Sequence, residues 1–121
     1  MTPSNRVDPR LVVHLPAEYR LEGAADWRPG TLHDLSASGA ALLIEAPIPL
    51  QTLLTLRFTL PATARDGALE LLVEAMGVRK THRPDLDPGR PCLQGLYFFG
   101  LHGERYERLR RFLWDLAGGA I

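Results

Sequence analysis

The sequence holds one cysteine, Cys92, one lysine, Lys80, and no apolar run near the roughly 18 residues that a spanning helix needs. A lone thiol excludes an internal disulfide and points to a reducing compartment, with a buried, inert Cys92 as the simplest expectation. The opening residues Met1 to Arg6 are polar and lack the apolar centre of a signal peptide, so a cytoplasmic location without membrane insertion is expected. Fourteen basic and fourteen acidic residues leave a net charge of zero. Nothing overall then draws the chain to DNA, RNA or an acidic membrane, and an anionic ligand must be met by a local group of cations. Paired histidine spacing is also missing: His14, His33, His82 and His102 are scattered beside one cysteine, which argues against zinc. The glycine-and-lysine pattern of a phosphate-cradling loop and the strand-helix setting of a nucleophile elbow are absent too, so no enzyme and no cofactor are expected.

What is present suits one globular domain. At 121 residues the chain can bury a core without disulfides or metal. Residues 1–10 carry Pro3, Ser4, Asn5 and Pro9 with little apolar content, and read as a flexible N-terminal arm ahead of a domain over 11–121. Leu11 to Leu21 reads as a first strand bent or edged at Pro16. Glu22 to Asp26 forms a turn, and Trp27 to Leu32 returns as a second strand. Ala40 to Glu45 follows, then a proline-rich connection at Ala46 to Pro49. Leu53 to Leu60 alternates apolar and polar residues, the signature of a half-buried strand. Ala68 to Lys80 is a long strand with Leu69, Leu71, Val73, Ala75 and Gly77 on one side. Thr81 to Pro91 is a polar loop, and Leu93 to Leu101 is the last strand. Glu104 to Ala117 places Leu109, Phe112, Leu113 and Leu116 on one helical face, ended by Gly118 and Gly119. Six strands and a helix suggest an all-β fold, a small antiparallel barrel capped by a C-terminal helix. Trp114 lies off the apolar stripe and leaves two readings open: an anchor for a partner, or a side chain folded back onto the barrel or the C-terminal tail.

Two motifs carry the chemistry. The first is Arg6-Val7-Asp8-Pro9-Arg10, whose proline keeps it extended. The second is Asp34-Leu35-Ser36-Ala37-Ser38-Gly39, where short polar side chains and a glycine able to adopt positive φ favour a tight, exposed turn between strands. An R-x-x-x-R pair followed some two dozen residues later by D-x-S-x-x-G resembles the PilZ domain, the bacterial receptor module for cyclic diguanylate (c-di-GMP). Order, spacing and the strand-rich flanks support the resemblance over nearly the whole chain, through Gly95-Leu96-Tyr97-Phe98-Phe99-Gly100 and the final helix.

The resemblance implies a six-stranded antiparallel PilZ-like barrel and a ligand site made of Arg6, Arg10, Asp34, Ser36 and Gly39. Arginine pairs bidentately with phosphate or guanine and stacks on bases. The Asp34 carboxylate can accept from guanine N1–H and N2–H. Ser36 can bond to a phosphate or base edge, and Gly39 leaves room for a close ligand. It further implies a non-enzymatic receptor whose arm closes over the ligand and so regulates a partner protein in motility, biofilm or exopolysaccharide control. The alternative is a PilZ-fold adaptor that binds only protein. Asn5 stands where many members have a further arginine, which leaves open whether the ligand binds as one molecule or as a stacked pair.

Overall fold

The computed structural model describes residues 9–46, 48–80 and 91–119, with backbone alone at 79 and 80. Arg6, most of the expected arm and nearly all of the loop expected at 81–91 lie outside the described residues. The elements are β1 Leu11–Leu21, β2 Arg28–Leu35, β3 Gly39–Ile44, β4 Leu53–Leu60, β5 Leu69–Lys80, β6 Cys92–Phe99 and α1 Gly103–Leu116. Every strand pair is antiparallel, and the strands close in the order β1-β2-β3-β6-β5-β4, with β4 returning to β1. Closure removes the edges that an open sheet would expose.

Alternation builds the core. Leu54, Leu56, Phe58 and Leu60 of β4, Leu71, Val73 and Ala75 of β5, and Leu96 and Phe98 of β6 all point inward, with Tyr19, Leu32, Leu42 and Ile44. Cys92 is buried among them, as expected of an inert thiol. Pro16 sits opposite Thr31 of β2, while the β1–β4 ladder begins only at Ala17 opposite Phe58. The proline's missing N–H therefore falls where β1 leaves β4.

Several boundaries differ from the sequence expectations, each for a local reason. The second strand starts at Arg28 and continues through Leu35, because Asp34 and Leu35 pair with Val12 and Leu11. The hexapeptide is thus half strand, and only residues 36–38 make the turn. That turn is largely buried, not exposed as its polar composition suggests, with only Ser38 open to solvent. The last strand stops at Phe99, followed by Gly100 in the left-handed region at φ 75°. In the helix, Leu109, Phe112 and Leu113 are buried, but Leu116 is 47% exposed.

Helix α1 is held to the barrel by arginines. Asp66, in the β4–β5 connection, accepts two hydrogen bonds from Arg111, at 3.0 and 3.1 Å, and lies 3.6 Å from Arg108. Arg65 pairs with Asp115 at 2.8 Å, Arg108 donates to the Gly67 carbonyl, and Arg105 donates to the Leu72 carbonyl at 2.7 Å. The Arg111 hydrogen bond, with the charges of Arg111, Arg108 and Arg65, holds the Asp66 carboxyl below its ordinary value, against a smaller opposing effect of burial. The helix ends in two nested backbone bonds: Gly119 N–H to Trp114 C=O at 2.8 Å and Gly118 N–H to Asp115 C=O at 3.1 Å. Both glycines have positive φ, and the termination requires it of Gly118, the residue that follows the C-cap Ala117.

Candidate functional site

The β1–β2 hairpin fixes the relation between the two sequence motifs. Its register sets Leu11 opposite Leu35 and Val12 opposite Asp34, so Arg10, just ahead of β1, arrives beside Asp34. The Arg10 guanidinium lies 3.6 Å from Asp34 Oδ1, at 23% and 19% side-chain exposure. That oxygen is buried and has no hydrogen-bond partner among the described residues. An anion with unused acceptor capacity, a cation beside it and partial access to solvent make a polar recognition point.

Asp34 faces outward because the strands slip. Both ladders of β2 are irregular there: the β1–β2 register shifts between Val12 and Leu15, and the β2–β3 register shifts between Leu32 and Asp34. Strict alternation after the inward Leu32 would send Asp34 into the core. The extra residue lets His33 and Asp34 both face outward before Leu35 returns to the interior, a common use of bulges beside functional residues. The same slip brings His14 and His33 together, with ring centroids 6.0 Å apart and planes near perpendicular. Their separation in sequence gave no sign of this pairing.

Ser36 and Gly39 shape the turn. Ser36 is 2% exposed, and its Oγ accepts the N–H groups of Ser38 at 3.2 Å and Gly39 at 3.1 Å. The hydroxyl also lies 3.2 Å from the Gly39 carbonyl, to which it donates, and the Ser36 N–H donates to that carbonyl at 2.9 Å. Gly39 is not among the glycines with positive φ. Its lack of a side chain answers a different need: a Cβ there would run into the Leu96 carbonyl oxygen of β6. The Phe98 N–H donates to the Ser38 carbonyl at 2.8 Å and ties the turn to β6.

Four of the five residues singled out in the sequence, Arg10, Asp34, Ser36 and Gly39, thus gather at one end of β1, β2 and β3; the fifth, Arg6, lies outside the described residues. Sequence reasoning assigned nothing to the outer-face neighbours supplied by β6. Asp34 pairs with Ala41, which pairs with Gly95; Gly39 pairs with Tyr97, which pairs with Met76. The only local signal was Gly95 and Tyr97 on the same side of one strand. Trp114 is 46% exposed, and a Cβ at Gly119 would come within 3.3 Å of its indole nitrogen.

A barrel with this strand order and a turn of this composition define a class, and comparison supplies the family. The model for the PilZ domain matches residues 4–114, and the chain belongs to that family. No curated protein matches the sequence. Among solved structures, the chain resembles the motility inhibitor MotI/DgrA of Bacillus subtilis, with a TM-score of 0.75 and 15% identity over 98% of this chain and 54% of that one. It also resembles the PilZ domain of YcgR from Escherichia coli, solved with c-di-GMP, with a TM-score of 0.68 and 15% identity over 97% and 95% of the two chains. A third is MrkH of K. pneumonia in complex with c-di-GMP, with a TM-score of 0.70 and 20% identity over 97% and 54%. This chain therefore spans about half the length of MotI/DgrA and MrkH. Among the described residues, no helix is long and apolar enough to cross a membrane.

Proposed function

We propose that this chain is a c-di-GMP receptor that regulates a partner protein and makes or breaks no bond. The observation that carries the reading is the meeting of Arg10 and Asp34 beside the Ser36 turn, in a member of the PilZ family. Bound c-di-GMP in the structures of YcgR and MrkH, which share the fold, supports the choice of ligand.

In this reading the ligand exchanges the Arg10–Asp34 pair for better partners. Guanine offers its N1–H and N2–H to the Asp34 carboxylate, including the oxygen that lacks a hydrogen bond, while Arg10 turns to a phosphate or a base face. Arg6 supplies a second guanidinium from the same leader. Ser36 and Gly39 act by holding the turn that presents Asp34 and by keeping the strands close. Closure of the leader over the ligand converts occupancy into a new surface for the partner, with motility, surface attachment and exopolysaccharide output as the implied settings. Micromolar affinity, about 8 kcal/mol, suffices for such a signal.

Titration calorimetry with c-di-GMP tests this. Arg6→Ala, Arg10→Ala and Asp34→Ala should each lose about 1.5–3 kcal/mol of binding free energy, the scale of a hydrogen bond to a charged group, with the fold intact. Lack of binding by the wild-type protein would leave the protein-only adaptor. Unchanged affinity in both arginine variants would remove the leader from the mechanism.

A further inference from the structure

We infer that Tyr97 is a stacking platform for a purine base of the bound dinucleotide, an inference that rests on the receptor reading above. Tyr97 lies on the outer face of β6 with 52% of its surface exposed, and its hydroxyl makes no hydrogen bond among the described residues. A large, half-open aromatic ring on the outer face of the barrel is not explained by the core. Its position is tightly fixed, however. Tyr97 pairs directly with Gly39, the last residue of the D-x-S-x-x-G motif, and the next residue, Phe98, donates its N–H to Ser38 in the turn.

The register links the ring to Asp34. Asp34, Ala41 and Gly95 form one row across β2, β3 and β6, and Tyr97 lies two residues along β6 from Gly95. With about 5 Å between strands and about 3.3 Å per residue, the Cα atoms of Asp34 and Tyr97 are about 12 Å apart on the same face. Between them the outward positions are Gly39, Ala41 and Gly95, which themselves carry nothing larger than a methyl group, although neighbouring groups cover Ala41 to 4% exposure. A carboxylate that reads the edge of guanine and an aromatic ring that meets its face are complementary demands on one planar ligand. Stacking supplies affinity without distinguishing bases, and Asp34 supplies the choice of guanine.

A purely structural role makes a different prediction. An aromatic ring opposite a strand glycine can cover exposed backbone, and then Tyr97 would matter for stability alone. Three variants separate the two roles: Tyr97→Phe keeps the plane, Tyr97→Leu keeps apolar cover without the plane, and Tyr97→Ala removes both. Calorimetric titration with c-di-GMP and thermal melting of the unliganded protein are measured for each. The platform predicts wild-type affinity in Tyr97→Phe and about 5- to 100-fold weaker binding in both Tyr97→Leu and Tyr97→Ala. Wild-type affinity in Tyr97→Leu, with melting lowered only in Tyr97→Ala, overturns it in favour of backbone cover. Failure of the wild-type protein to bind overturns the receptor reading and this inference together, whereas wild-type binding with all three variants unchanged overturns the platform alone.

Discussion

Ser36→Ala removes one oxygen atom that serves two backbone donors at once, the N–H groups of Ser38 and Gly39. These donors differ in what replaces the hydroxyl. Ser38 is exposed, so water can take over its N–H at little cost. Gly39 is buried, and its N–H is left facing the new methyl group. A buried donor without a partner costs about 1–3 kcal/mol, so the variant should lose about that much stability, less than twice that amount because only one donor is stranded. Urea denaturation followed by tryptophan fluorescence measures it. With a slope of about 1–3 kcal/mol per molar for a small protein, the midpoint should fall by roughly 1 M with the slope unchanged. A loss below about 0.5 kcal/mol, the range of ordinary surface substitutions, would show that the hydroxyl does not hold the turn.

Gly39→Ala should cost about 1–3 kcal/mol by overpacking against the Leu96 carbonyl of β6, readable in the same denaturation assay; full stability would refute the close approach of β3 and β6. The ion-pair cluster under the helix gives a pH dependence. The Asp66 carboxyl is lowered in the folded protein, first by the Arg111 hydrogen bond, so its stabilisation is present above the ordinary value of 3.8 and is lost as pH falls through the lowered value. Asp66→Asn should therefore be less stable than wild type at neutral pH, and the gap should narrow as the medium is acidified below 3.8. An equal gap at every pH would mean that Asp66 acts through shape and not charge.

Part of the fold was legible because local pattern dictated it. The limits of β1 and β4 follow from apolar stretches whose side chains need one buried face, and both run as the sequence suggests. The helix was legible from its spacing, but the exposure of Leu116 was not, because periodicity gives a face and not which positions on that face are covered. Gly39 answers to close approach and not to positive φ. A glycine in a turn motif invites an argument from positive φ, whereas the constraint comes from the Leu96 carbonyl, far along the chain. Nothing local announces that β3 pairs with β6, and so the neighbourhood of Gly95 and Tyr97 could not be read in advance.

The two polar motifs are best understood as a statement about register. Arg10 meets Asp34 because β1 and β2 form a hairpin in which Val12 faces Asp34, and the sequence spacing between the motifs is the path length of that hairpin. Ironing out the bulge while keeping every residue would preserve both motifs and the spacing within D-x-S-x-x-G, yet side chains alternate with a period of two, so Asp34 would turn to the side of Leu32 and the core. Burying a carboxylate there costs far more than the ion pair with Arg10 returns. The paired bulges at Val12–Leu15 and Leu32–Asp34 are therefore as much a part of the site as the residues named in the motifs, and a chain carrying both motifs without the bulges would have the letters of this site but not its geometry.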